Sequence, residues 1–331
     1  MTLIQQISLK IFTLIITIMY SFNGGVVAPS TADPIKAKNP DDVELVFATL
    51  ADPQVSNYMF GRYQSFQEAC MDLENAECEF DAIVGIGDIA ENGLLEEYQL
   101  VYNEINGLSK RFIMGSGNHD IRLRAYSQSY DRFTNFVEAL NRDETVTKNA
   151  YAEGKFAYSE VVNGYKFIVL GSDKMVFEEA YISPEQLAWL DAELESANGK
   201  PVFVINHQPL KLTHNLPTTW GNGTNKEAGS IGDQNDEVRE ILVRHAEKGN
   251  VFFLTGHLHA GFSQYSYQNI DGLHSVNIPA ISIENKDGEE GGNGAGLTYI
   301  VEVYDDEVLF RARNCKTGEW LPKWDVSVPV K

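Results

Sequence analysis

The sequence is poor in cysteine, in positive charge and in long apolar runs, and each shortage excludes something. Three cysteines among 331 residues, Cys70, Cys78 and Cys315, make neither a disulfide framework nor a zinc motif. In an oxidising compartment Cys70 and Cys78 could pair, a helix end doubling back on the loop after it; two reduced, buried thiols are the equal alternative. Against 26 lysines and arginines stand 47 aspartates and glutamates, a formal net charge of −21. Nucleic-acid binding rests on neutralising phosphates, so no nucleic-acid partner is expected and a small or locally recognised ligand is. Gly-x-Ser-x-Gly is absent, which removes a serine hydrolase built on that turn. No internal repeat is found.

The leading apolar run, Ile11–Phe22, has about a dozen residues, too few to span a bilayer and right for a signal-peptide core. Lys10 precedes it and small residues follow up to Ala32. Residues 1–32 are therefore read as a signal peptide, with an uncleaved anchor as the alternative. The product is expected to be exported (periplasmic, extracellular or at the cell surface), with no stable membrane span. Asp33–Asp42 reads as a polar linker, and 43–331 as one α/β domain with a β-rich C-terminal part, long enough to bury a large core.

Within that domain a rhythm repeats: a short apolar strand ends in small or polar residues, usually with a helix behind it. Val43–Leu50 ends in Ala51-Asp52-Pro53-Gln54, and Ala82–Ile86 in Gly87-Asp88. Arg111–Met114 ends in Gly115-Ser116-Gly117-Asn118-His119-Asp120, Pro201–Ile205 in Asn206-His207, and Asn250–Leu254 in Gly256-His257-Leu258-His259. Helices are expected over Tyr63–Asn75, Glu96–Leu108, Ser127–Leu140 and Asn235–Lys248. Another opens at Ser183-Pro184-Glu185-Gln186, which has a serine cap, proline at the first position and a closing glutamine. Asn163-Gly164 predicts a hairpin. Strands near Phe262–Ile270, Leu273–Ile278, Leu297–Tyr304 and Val308–Asn314 complete the chain. Lys211–Gln234, around Trp220, has the composition of a loop over a site. Glu284–Gly296 is acidic and glycine-rich but lacks the ligand order of an EF-hand, so a solvated loop is expected.

In open α/β sheets ligands gather beyond the carboxyl ends of the strands. Five strand ends deliver Asp52 with Gln54, Asp88, Asn118 with His119, His207, and His257 with His259. These are oxygen and imidazole donors without a thiolate, suited to divalent Mn, Mg, Fe or Zn. Asp52, Gln54, Asp88, Asn118, His207, His257 and His259 exceed the needs of one cation and suit two that share a bridging carboxylate. His119, beside Asn118, is placed as a proton donor.

The ordered set resembles the calcineurin-like metallophosphoesterase family: Asp-x-His (here Asp52-Pro53-Gln54), Gly-Asp-x-x-x-x-Gly (Gly87 to Gly93), Gly-Asn-His-Asp/Glu (Gly117 to Asp120), a lone histidine after a strand (His207) and Gly-His-x-His (Gly256 to His259). The resemblance implies a four-layer αββα sandwich of two facing mixed sheets flanked by helices. It implies two divalent ions, one on Asp52, Gln54, Asp88 and His259, the other on Asp88, Asn118, His207 and His257. A hydroxide held between them would attack a phosphate monoester or diester in line. His119, steered by Asp120, would then protonate the leaving oxygen. Arg122 and Arg124 could grip the phosphate, and His214 could touch substrate from the Trp220 loop. His245 and His274 read as structural or solvated. The departure is Gln54, where histidine is commoner; an amide oxygen there favours harder ions over Zn and holds the first metal less tightly.

Two rival readings compete with this one. Gly85-Ile86-Gly87-Asp88-Ile89-Ala90 satisfies a dinucleotide fingerprint, but Asp88 would sit against the pyrophosphate and Asn92-Gly93 would weaken the helix behind it. The other rival is a non-catalytic metal-binding member of the same fold, against which intact Asp88, Asn118, His119 and His207 speak.

Overall fold

Central strands buried on both faces build three apolar cores. A computed structural model describes residues 33–142, 148–214 and 229–331. The expected signal peptide over 1–32 and residues 215–228 of the Trp220 loop lie outside the described residues. The strands are β1 (Leu45–Leu50), β2 (Ala82–Gly85), β3 (Phe112–Met114), β4 (Asn149–Ala150), β5 (Tyr158–Val162), β6 (Tyr165–Val169) and β7 (Val202–Ile205). They continue as β8 (Val251–Thr255), β9 (Tyr267–Ile270), β10 (Leu273–Asn277), β11 (Leu297–Val303), β12 (Glu307–Asn314), β13 (Glu319–Trp320) and β14 (Val326–Pro329). The helices are α1 (Phe60–Glu74), α2 (Leu95–Ile105), α3 (Asn118–Ile121), α4 (Tyr126–Leu140), α5 (Pro184–Glu195) and α6 (Asn235–Ala246).

One sheet runs β13-β12-β11-β1-β2-β3, with β14 also on β12; the other runs β4-β5-β6-β7-β8-β10-β9. Both are mixed. β1, β2 and β3 are parallel, as are β6, β7, β8 and β10, and the outer strands are antiparallel. Leu45 and Phe47 of β1 face the second sheet, whereas Val46, Ala48 and Leu50 face α1, α2 and α4. In β7, Phe203 and Ile205 face the first sheet, and Val202 and Val204 face α5 and α6. Residues two apart share a face of a strand, so a fully apolar run feeds two cores. The layers are therefore helix, sheet, sheet, helix. Between the sheets, Phe167, Phe203 and Phe252 stack at 5.1 and 5.3 Å, and Phe47 meets the first two edge-on.

Two of the three helix signals hold: Ser183 Oγ accepts from the Gln186 amide at 3.2 Å, with Pro184 opening α5. The Gln186 side chain does not close the box but bonds Gly171 and Asp173, and the Ser183 amide donates to the Asp173 carboxylate instead. Asn163 and Gly164 both have positive φ, as the hairpin turn requires. Two further expectations change. Asp33–Asp42 is not a free linker, because Ile35 and Ala37 are buried in the first helix–sheet core and fully buried Arg313 donates to the Asp33 carbonyl. Arg313 also makes two 2.6 Å bonds to Asp72, tying β12 to α1. The strand expected from Phe262 begins only at Tyr267, because 262–266 turn. The acidic stretch after Glu284 is organised by Asn285, whose side chain bonds the backbone of Ala280 and Gly294, and by Asn293, whose side chain bonds that of Gly288. Cys70, Cys78 and Cys315 are all free thiols. Among the described residues no helix is long and apolar enough to cross a membrane.

Candidate metal centre

The carboxyl ends of β1, β2 and β3 in one sheet and of β7 and β8 in the other open on the same point. Backbone bonds lock the loops together there: Asp52 N donates to Gly87 O, Gln54 N to Asp88 O and Gly256 N to His207 O. Asp52, Gln54, Asp88, His257 and His259 all have φ between 36° and 69°. Left-handed backbone costs a non-glycine residue of order 1–3 kcal/mol and marks sites whose geometry the surroundings impose.

The side chains meet inside that frame. Asp88 Oδ2 is 3.1 Å from His207 Nε2 and 2.9 Å from Gln54 Nε2, while Asp88 Oδ1 accepts the His119 amide at 2.8 Å. His207 Nε2 is 3.2 Å from His257 Nδ1 and 3.7 Å from Asp52 Oδ1. His259 Nε2 lies 3.1 Å from Asp52 Oδ1 and 3.2 Å from Gln54 Nε2. Ligand atoms of Asp88, His207 and His257 all fall within 4.8 Å of one another. Asn118 Oδ1 is buried and has no hydrogen-bond donor among the described residues, although its amide nitrogen donates to Glu178 at 3.2 Å. A buried lone pair left without a partner, one residue before the amide that bonds Asp88, is what a divalent cation would satisfy, and the clustered Asp88, His207 and His257 supply further donors, so the donor set fits a metal.

The family model of calcineurin-like phosphoesterases matches residues 45–261, from the start of β1 to just past His259. The chain belongs to the calcineurin-like phosphoesterase family. Among its relatives, a probable glycerophosphodiester phosphodiesterase of Arcobacter nitrofigilis is 25% identical over 155 residues, 45% of this chain and 50% of that protein. The chain thus matches half the length of that relative. A 3',5'-cyclic-nucleotide phosphodiesterase of Nostoc is 24% identical over 218 residues, 66% of this chain and 68% of that one. A solved structure described as a predicted phosphoesterase, from Streptococcus pneumoniae, superposes with a TM-score of 0.39 at 11% identity, over 86% of this chain and 97% of the other.

Charges at this centre act strongly on one another. Burial pushes the Asp88 carboxyl up, but the His207 and His119 rings outweigh it and hold it well below the usual range. Burial pushes the His207 ring down, and the Asp88 and Asp52 carboxylates more than reverse this, to about 9. Burial and then neighbouring His207 drive His257 far down.

Not every expected residue takes its expected part. Asp120 does not steer His119: its carboxylate accepts from Ile89 N, Ala90 N, Gly117 N and Tyr98 OH at 2.8–3.2 Å. Successive residues of a helix do not face each other, and α3 sends these two side chains apart. His119 Nδ1 instead meets the Glu91 carbonyl at 2.8 Å, Arg122 Nη2 at 3.0 Å and the Glu91 carboxylate at 3.5 Å. Arg122 lies at the mouth, paired with Glu178 at 3.1 Å and over the Phe177 ring. Arg124 is exposed on the surface turn and bonds the Leu123 carbonyl. His214 faces away from the centre, buried, its ring nitrogens on Tyr265 O and Ser275 Oγ. His274 stacks on Phe252, and His245 bonds Asp191 at 2.6 Å. Gln54 does point inward, but by its amide nitrogen; its oxygen accepts from Arg62 Nη1 at 3.3 Å. Arg62, Glu91 and Glu178 also line the centre, and no sequence motif marks them. Glu91 sits inside the Gly87-to-Gly93 motif as an unmarked acid, and no spacing links Arg62 or Glu178 to the ligands they touch.

Proposed function

We propose that this phosphoesterase is a metal-dependent hydrolase of phosphate esters, with small diesters as its favoured class. The observation that carries the reading is convergence: loops behind five strands of two sheets bring three imidazoles, two carboxylates and an undonated amide oxygen to one buried point. Asp88, Asn118, His207 and His257 would hold one ion; Asp52, Asp88, His259 and the Gln54 amide would hold a second, with Asp88 shared. Divalent ions so placed activate water for in-line attack and neutralise charge on the phosphate. Two carboxylates against two such ions leave a net +2, a local attraction for phosphate in a chain of charge −21. The phosphodiesterase relatives support the choice of diesters.

The protein's own groups complete the chemistry. Two states of the His119 ring leave a proton on Nε2, the nitrogen 3.9 Å from Asp88 Oδ2: a charged ring donating from Nδ1 to the Glu91 carbonyl, and a neutral ring accepting at Nδ1 from Arg122. The charged ring presents an acid to the leaving oxygen, a contribution typically of about 10²–10⁴-fold, whereas the neutral ring offers only an N–H hydrogen bond to it. Arg122, rather than Arg124, is the residue to grip a non-bridging oxygen. Export remains part of the reading, on the strength of Ile11–Phe22. The test strips the protein with chelator, reloads it with Mn, Mg, Zn or Fe, and follows bis(p-nitrophenyl) phosphate and p-nitrophenyl phosphate. Metal-restored turnover, faster on the diester and lost in Asp88→Asn, is expected. Stoichiometric metal binding without turnover of either ester would leave the non-catalytic reading standing instead.

A further inference from the structure

We infer that Arg62 decides which end of the Gln54 amide faces the Asp52–Asp88–His259 pocket, and so sets how tightly that pocket holds a divalent cation. The inference rests on the metal centre proposed above. Gln54 is buried, and its amide is read from both ends. On the inner side Nε2 donates to Asp88 Oδ2 at 2.9 Å and lies 3.2 Å from His259 Nε2. On the outer side Oε1 accepts from Arg62 Nη1 at 3.3 Å. Arg62 is itself pinned, because the same nitrogen meets Glu91 Oε2 at 2.6 Å.

Metal ligation needs the opposite face. A turned amide would put Oε1 about as near Asp88 Oδ2 as Nε2 is now, two acceptors that repel unless a cation lies between them. The same turn would set the amide N–H groups against the Arg62 guanidinium, which has donors and no acceptor. A cation entering the pocket and Arg62 outside it thus compete for one oxygen. The other position, formed by Asn118, His207 and His257 with Asp88, is free of this competition. Arg62 is therefore a positioning residue, and the two positions should load unequally.

The experiment is equilibrium dialysis against Mn(II), with elemental analysis of the protein, on the full chain and on Arg62→Met, Gln54→His and the double variant. The full chain should hold one ion tightly and a second weakly. Arg62→Met should raise the weaker affinity about tenfold, the worth of one charge-assisted hydrogen bond. In the Gln54→His background, where there is no amide to turn, the same change should matter less than about twofold. An equal gain in both backgrounds would reduce Arg62 to simple charge repulsion and overturn the inference, as would no gain in the native background. Should Arg62→Met fail to fold, anomalous scattering from crystals of the unaltered protein at limiting Mn decides: one strong peak beside Asn118 is expected, and two equal peaks overturn it. No bound ion in any form would defeat the proposed metal centre itself, a different failure.

Discussion

Gly117→Ala tests the centre through one methyl group. Gly117 precedes α3 with φ −108° and ψ −175°, an extended backbone that alanine adopts freely, so the cost is steric alone. A Cβ there would stand 2.1 Å from Asp88 Oδ1, 2.4 Å from the Asp88 amide nitrogen and 2.8 Å from its carboxyl carbon, where real contacts essentially never fall below 3.0 Å. The obstruction is backbone and a doubly engaged carboxylate, not the tip of a flexible chain. One of the two loops must retreat by about 1 Å, and overpacking of this kind costs about 1–3 kcal/mol. With Asp88 in the shared position proposed for it, a displacement of that size should lower kcat/KM on bis(p-nitrophenyl) phosphate about 10²-fold. The thermal midpoint should fall by a few degrees, at about 2–4 °C per kcal/mol. Gly107→Ala is the control, since a Cβ there meets nothing within 4 Å; it should leave both quantities unchanged. Native activity and native metal content in Gly117→Ala would refute the placement of Asp88 at the reacting point.

Three further outcomes are expected. His119→Ala should lower kcat strongly while sparing bound metal, with a loss that shrinks as the leaving group improves; equal losses across a series of aryl esters would remove the acid role. Burial pushes the His214 ring down to about 4, so between pH 6.5 and 4 the unfolded chain takes a proton that the folded chain refuses. The stability is fully present above about pH 6.5 and declines by up to about 3 kcal/mol towards pH 4, and thermal melts of His214→Gln should show a flatter acid slope than the unaltered protein. Intact-mass analysis of protein from its native host should find an amino terminus between about Gly24 and Asp33, and a chain still starting at Met1 would count against cleavage.

The centre was largely legible in sequence because each ligand closes its own apolar strand. Val46–Leu50, Val202–Ile205 and Val251–Leu254 announce buried strands, and parallel order brings their carboxyl ends to one side, so donors far apart in the chain had to converge. The three-core layering was less visible: a continuous apolar run such as Phe203–Ile205 says both faces are covered but not by what. Arg62, Glu91 and Glu178 were invisible because their partners lie in other loops, at separations of 8 residues for Arg62–Gln54 and 60 for Glu178–Asn118. Asp33–Asp42 was misread for a similar reason. Two apolar residues, Ile35 and Ala37, anchor it, and the groups that hold its backbone, Arg311, Arg313 and Glu302, come from the far end of the chain.

Asp120 shows how a motif can name the right residue for the wrong task. Adjacency in Asn118-His119-Asp120 invites a relay from carboxylate to imidazole. Once these residues enter a helix they point in different directions, and Asp120 turns back beneath the loop that carries Asp88. There it accepts four hydrogen bonds, from Ile89, Ala90, Gly117 and Tyr98, so one buried carboxylate fastens the loop after β2 to the loop after β3. Burial and the nearby Asp88 charge push its carboxyl up to about 6, a cost the three backbone donors partly offset. Those two loops supply Asp88 and Asn118, and Asp88 carries a strained, left-handed backbone that would relax without such a tether. The job of Asp120 is thus mechanical. It holds the loops that carry Asp88 and Asn118 in register, while His119 turns a different way from the same short helix, towards Glu91 and Arg122.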